Sequence, residues 1–198
     1  MKLKNGLLAA LVLNFGWSMA AQAAPVVSSE NLMSAMTQIA LSDVHTLNLI
    51  NWSVGDTAEY NMTMGFGFLK GTSKKYVDRE DNGGTAIWII QEIKVLGQNQ
   101  KIEMLMNRAD GKILKLIQNG QEAEIPTDKP EIISQDYQEI TVPAGTFDCV
   151  HIVGKQTGRK FELWANPVDT VMDGGIKQVI DTGIAGNIEM VLTSFKKI

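Results

Sequence analysis

The chain has 198 residues, 44% of them hydrophobic and 20% charged, with 18 Lys+Arg against 22 Asp+Glu and a single Cys. That length fits one domain, and the composition excludes both a disordered chain and a polytopic membrane protein. An acidic pI near 5.2 excludes a nucleic-acid binder that works by displacing counterions, and one Cys closes no intramolecular disulfide and builds no multi-cysteine zinc site.

Residues 1–23 read as a secretory signal peptide. Lys2 and Lys4 make a positive start, Leu7 to Phe15 form a short apolar run, and Ala21-Gln22-Ala23 ends it in an A-x-A cleavage site. The run falls short of the roughly 20 apolar residues that cross a bilayer. Cys149 lies far from the cleavage site, so no lipid attaches there and no stable membrane anchor is expected. The expected mature chain, 24–198, carries 16 basic and 22 acidic residues, a net charge of −6. Its expected compartment is the periplasm. The sequons at Asn51 and Asn61 are read as chance matches in a bacterial exported protein.

After the cleavage site, Ser28 or Ser29 can cap a helix, and Glu30 suits its first turn. Leu32, Met33, Met36, Ile39 and Ala40 recur at helical spacing, which predicts an amphipathic helix over 29–42. It is expected to pack on or in the sheet that follows.

From Asp56 the pattern changes to period two. Tyr60, Met62, Met64, Phe66 and Phe68 alternate with Asn61, Thr63, Gly65 and Gly67, a strand signal. Strands follow near 71–80, 85–96, 101–108, 112–118 and 121–125. The turns between them carry Asn-Gly and Asp-Gly pairs, which suit tight hairpins. Pro126 and Pro130 bound a crossing loop over 126–136. Further strands are predicted near 137–142, 146–157, 160–165, 176–181 and 187–197.

Both faces of these strands are apolar. Ile87, Ile89, Ile93 and Val95 share one face of their strand, and Trp88, Ile90 and Leu96 the other; Ile113 and Ile117 oppose Leu114 and Leu116. A sheet wetted on one side alternates more cleanly. The expected fold is therefore mainly β, a single curved antiparallel meander of about ten strands forming a half-barrel, with the N-terminal helix against it.

One stretch carries a resemblance. Val142-Pro143-Ala144-Gly145-Thr146-Phe147, then Trp164-Ala165-Asn166-Pro167, then Gly174-Gly175-Ile176-Lys177 resemble a family of secreted bacterial proteins of unknown function. That family looks related to the lipoprotein-carrier fold, an incomplete β-barrel around an apolar cavity. The resemblance covers about 137–197 and implies a scaffold with an apolar-ligand site. In this chain Val168–Asp173 lengthens the loop after Pro167. The motif also has a structural account: Pro143-Ala144-Gly145 makes a turn, Phe147 re-enters the core, and Trp164 adds a large apolar body.

Chemical alternatives are weaker. Cys149 and His151 lie two apart on one strand, roughly 6–7 Å between Cβ atoms, too far for a good thiol–imidazole pair. A buried hydrophobic Cys is the simpler reading. His45 and His151 lack zinc spacing. Asp78, Glu80 and Asp81 lack the calcium-loop pattern and read as a solvated turn. No cofactor, metal or nucleic-acid partner is expected, and no catalytic residue is assigned.

The methionines are the most suggestive feature. Met62 with Met64, and Met104 with Met106, fall at same-face spacing in two strands. Met is adaptable and polarizable. With Met33, Met36, Phe66, Phe68 and Trp164 they are the candidate lining of a ligand site. The expected function is a non-catalytic periplasmic binding module for an apolar ligand such as a lipid or acyl chain. The alternative is a structural or assembly protein of the envelope that holds a protein partner by a sheet edge or apolar face.

Overall fold

The computed structural model describes residues 52–65, 67–125, 130–156, 158–171, 174–181 and 186–198. The signal peptide over 1–23 and the helix over 29–42, and with them Met33, Met36 and Phe66, lie outside the described residues. In the first half the strands are β1 (Thr57–Met64), β2 (Leu69–Asp81), β3 (Ala86–Val95), β4 (Gln98–Asn107), β5 (Ile113–Gln118) and β6 (Gln121–Glu122). In the second they are β7 (Glu131–Val142), β8 (Gly145–Gln156), β9 (Arg159–Ala165), β10 (Gly175–Asp181) and β11 (Asn187–Lys196).

All eleven join one open antiparallel sheet in the order β6-β5-β4-β3-β2-β1-β11-β10-β9-β8-β7. Each half is a meander of neighbouring strands, as the short turns predict. The halves meet where β1 pairs β11, from Thr57 opposite Lys196 to Met64 opposite Ile188. Among the described residues no α-helix and no second sheet lies against this one.

The turns explain the strand ends. Leu96 and Gly97 take φ of 51° and 76°, and Asn119 and Gly120 take 49° and 83°. Two successive positive φ values match the twist of a two-residue hairpin. The first of these turns begins one residue earlier than expected, so β4 starts at Gln98 and not 101. Gly65 and Gly67 also hold positive φ, 59° and 84°, which ends β1 at Met64 and corrects the single strand expected through Phe68.

Two further expectations are corrected. The crossing loop over 126–136 is short, because β7 already begins at Glu131. Its side chains from Glu131 to Tyr137 are all exposed, so no alternation marks this strand. Ile113 and Ile117 do not share a face. A register shift between Leu105 and Met106 sets Met106 opposite Ile113 and Leu105 opposite Lys115. Ile113 therefore packs on the main core with Leu116, while Ile117 joins Trp88, Ala86 and Leu105 in a small cluster on the other face.

The second half curls. At the tip of the β7–β8 hairpin, the Ala144 N–H donates to the Leu192 carbonyl at 3.4 Å, and the rings of Phe147 and Phe195 stand 6.2 Å apart. The hairpin tip thus reaches β11 past β9 and β10. Gly154 makes room along the way: a Cβ there would lie 2.4 Å from the Phe161 ring opposite.

One buried carboxylate ties the two ends of the domain together. Asp56 is 1% exposed. Its Oδ2 accepts from the Ser53 N–H and its Oδ1 from the Ile198 N–H, both at 2.9 Å. Asp56→Ala strands two backbone donors and is expected to cost about 2–4 kcal/mol, read as a lower urea midpoint with an unchanged slope. A midpoint within error of the wild type would show that these contacts contribute nothing.

Candidate functional site

The sheet sorts its side chains into two unlike faces. Following the pairing from Met62 through Met190 and Gln178 to Leu163, and from Met62 through Gly71 and Val95, defines the inner face. Met62, Met64, Met104 and Met106 all belong to it and to one cluster, with Ile89, Ile102, Leu116, Ile176 and Leu192. The four strand methionines are thus brought together, each buried to 6% exposure or less.

A polar band crosses this apolar face, and sequence reasoning passed over it. Ser73, Lys75 and Gln91 are 2%, 2% and 0% exposed, and Gln178 is 4%. Gln91 Nε2 donates to Ser73 Oγ at 2.9 Å. Lys75 stands opposite Gln91, with its Nζ 5.8 Å from the centre of the Tyr60 ring. Gln91 Oε1 is buried and accepts no hydrogen bond. Beside the band, Tyr60, Lys75, Gly175, Lys177, Gln178 and Met190 line a cavity of about 10 Å³, room for one water. The signal was present in the period-two pattern, since Leu69, Gly71, Ser73, Lys75 and Val77 alternate with Lys70, Thr72, Lys74 and Tyr76. Its inner set simply contains a lysine.

Two candidates stand outside the buried set, although Trp164 packs against the margin of the same cluster. Phe68 sits in the turn after β1, 84% exposed. Trp164 pairs with His151 and Lys177 across the sheet and so projects from the face opposite Leu163. There it forms a ladder with charged neighbours. Its ring stacks on His151 at 4.4 Å, and its Nε1 donates to Gln138 Oε1 at 2.9 Å. His151 Nδ1 donates to Asp136 Oδ1 at 2.8 Å, and Gln138 Nε2 donates to Asp136 Oδ2 at 3.1 Å. Glu162 Oε2 lies 3.6 Å from His151 Nε2. Lys177 lies over Trp164 at 5.4 Å and pairs with Glu189 at 2.8 Å.

The ladder biases its carboxylates. The Gln138 amide and His151 hold Asp136 below the ordinary aspartate value of 3.8. Hydrogen bonding from Lys160 does the same for Glu162, aided by His151. Cys149 moves the other way: burial, with the Asp148 charge, pushes its thiol up to about 11. Its Sγ donates to the Phe147 carbonyl at 3.6 Å, while His151 is engaged by Asp136 and Trp164. The pair supplies no activated thiolate, which is the nucleophilic form. Among the described residues no three His, Cys, Asp or Glu side chains gather as a metal-ligand set.

The Asn166–Gly174 loop is built by Asn166. Its Oδ1 accepts from the Val168 and Asp169 N–H groups, and its Nδ2 donates to the Asp148 carbonyl. Gly174 has φ of +68°, and a Cβ there would meet Pro167 N at 2.3 Å. The motif residues Asn166, Pro167 and Gly174 are explained by this loop closure.

No protein-family model and no curated protein matches the chain. Among solved structures, one from Bacteroides fragilis, described as an exported protein with a YmcC-like fold, is similar at 12% identity and a TM-score of 0.49. That match covers 75% of this chain and 98% of the other. A second, described as a lipoprotein from Parabacteroides distasonis, is similar at 12% identity and a TM-score of 0.40, covering 74% and 97%. The resemblance to a secreted family therefore rests on Val142–Phe147, Trp164–Pro167 and Gly174–Lys177 alone.

A depressed carboxylate stabilises the fold above its unfolded value and loses that contribution as pH falls through its folded value. For Asp136 the loss falls below 3.8, the ordinary aspartate value. Acidification into that range is expected to change Trp164 emission in the wild type, and to change it less in Asp136→Asn. Equal responses would separate Asp136 from the Trp164 environment.

Proposed function

We propose that the mature chain is an exported, non-catalytic binding module that takes an amphiphile, a lipid or fatty acid, against the inner face of its sheet. The observation that carries this reading is the union of Met62, Met64, Met104 and Met106 in one buried apolar cluster on the inner face of the sheet. The cavity beside the polar band is small, so an occupant must part these side chains. Methionine suits that, having three rotatable bonds and a soft sulfur. Each methylene buried contributes about 0.8 kcal/mol.

The polar band is the natural seat for the polar end of such a ligand. Lys75 offers an ammonium group to an anionic headgroup, and Gln91 Oε1, a buried acceptor, suits a ligand hydroxyl or N–H. Export to the periplasm rests on residues 1–23, as read above.

The test is titration of the protein, 24–198, with a fluorescent fatty acid displaced by unlabelled fatty acid or by the alcohol of the same chain length. Both are expected to displace the probe. Lys75→Met, near in volume, is expected to weaken the acid about tenfold, which is about 1.4 kcal/mol, and to leave the alcohol unchanged. Failure of any chain to bind would overturn the function. Equal weakening of acid and alcohol would overturn the role given to Lys75.

A further inference from the structure

The β1–β2 and β3–β4 hairpins turn at the same end of the sheet. Met64 faces Leu69 across the first turn, Val95 faces Gln98 across the second, and Gly71 pairs with Val95 between them. Each tip holds a large apolar side chain in solvent: Phe68 is 84% exposed and Leu96 48%. The Phe68 N–H donates to the Gly65 carbonyl at 3.3 Å, which closes its turn. Leu96 has φ of 51°, a left-handed conformation that suits Gly or Asn and strains a leucine. The other non-glycine residues with positive φ among those described are both asparagines, Asn82 and Asn119. An exposed leucine in that conformation gains little burial to offset the strain, which points to a use outside the fold.

Charge selects what the tips meet. From Tyr60 to Lys74 and from Ile93 to Ile102 the hairpins carry Lys70, Lys74, Lys94 and Lys101 and no acidic residue, although the mature chain has a net charge of −6. Carboxylates around them are engaged: Glu59 by Lys74 at 3.7 Å, Glu103 by Lys101 at 3.2 Å, Glu189 by Lys177 at 2.8 Å, and Glu92 by the Tyr76 hydroxyl at 3.1 Å. Lys70 and Lys94 are both exposed. Lys70 stands two residues behind Phe68, and Lys94 two residues behind Leu96. Thr72 pairs with Lys94, so the two lysines are diagonal neighbours on the outer face. Two strand residues span about 7 Å. A bilayer interface is layered on that scale, with apolar side chains sinking about 5–10 Å into the boundary of headgroups and acyl chains and basic groups held among the phosphates. The same apolar-to-lysine spacing in two adjoining hairpins fits that layering.

We propose that the Phe68 and Leu96 tips dock reversibly on an anionic bilayer surface, with both apolar side chains in the headgroup boundary and Lys70 and Lys94 against lipid phosphates. The acidic remainder of the chain is repelled by such a surface, which holds the contact to the tips. Docking brings the Met64–Leu69 end of the inner face to the lipid, where an amphiphile is taken up or released. That consequence rests on the amphiphile reading. The docking itself does not, because neither tip side chain belongs to the buried face.

The experiment is cosedimentation of the mature chain with large vesicles of phosphatidylethanolamine mixed with phosphatidylglycerol, and with vesicles of phosphatidylcholine alone. The wild type is expected to pellet with the anionic vesicles and to stay in solution with phosphatidylcholine. Phe68→Ser is expected to weaken anionic binding about tenfold, and Lys70→Gln with Lys94→Gln about thirtyfold. These side chains are exposed, so the variants should keep the wild-type circular dichroism, urea midpoint and fatty-acid titration. Leu96→Asn is expected to move two readouts in opposite directions, raising the urea midpoint because Asn accepts that φ while weakening vesicle binding. A wild type that pellets with neither vesicle, or equally with both, overturns the proposal. So does anionic binding that Phe68→Ser and the double lysine variant leave intact.

Discussion

The pairing of β1 with β11 is the constraint on which the rest of the molecule depends. It joins the start of the described domain to its end and sits in the middle of the sheet. Without it the chain is two meanders, each with one more exposed edge and half an apolar face. Such a contact is costly in loop-closure entropy, because everything between β1 and β11 must be ordered before it forms. Asp56 reinforces it from outside the strands by holding the Ser53 and Ile198 N–H groups. A register shift between Glu59 and Tyr60 lets Ala58 and Phe195 remain on the core side while Tyr60 meets Leu192.

From that seam the sheet behaves differently in its two directions. Toward β6, β3 is buried on both faces, with Ile87, Ile89 and Ile93 in the main core and Trp88 against Leu105 behind it. Toward β7, the face opposite the core carries the stacked and charged ladder of Asp136, His151, Trp164 and Lys177. The inner face runs through both regions and is interrupted by the Ser73, Lys75 and Gln91 band. Burying a lysine and a glutamine in an apolar face costs free energy unless their polar atoms are satisfied. A ligand whose polar end carries a hydroxyl or N–H donor would satisfy the Gln91 acceptor.

The sequence was most legible where alternation was strong. Tyr60, Met62 and Met64 declared β1, and the Ile and Trp pattern of β3 declared a strand apolar on both sides. It was least legible where one residue shifts the phase. The shift beside Met106 separates Ile113 from Ile117, which simple alternation puts together, and positive φ at Gly65 and Gly67 removes Phe68 from β1. β7 was half missed because an edge strand exposed on both faces has no inside to alternate with. Of the candidate site, the strand methionines converge on one face, but Trp164 projects from the other because it stands one residue from Leu163. The polar band was hidden by the habit of reading lysine as surface.

The account centres on an inner face that holds an amphiphile. Native mass spectrometry of the mature protein purified from its own cells, followed by solvent extraction, tests this most directly. The account predicts a reproducible added mass that extracts as a lipid or fatty acid and disappears on delipidation. A bare mass for residues 24–198, from a preparation gentle enough to keep the cargo of a known lipid carrier, would contradict it.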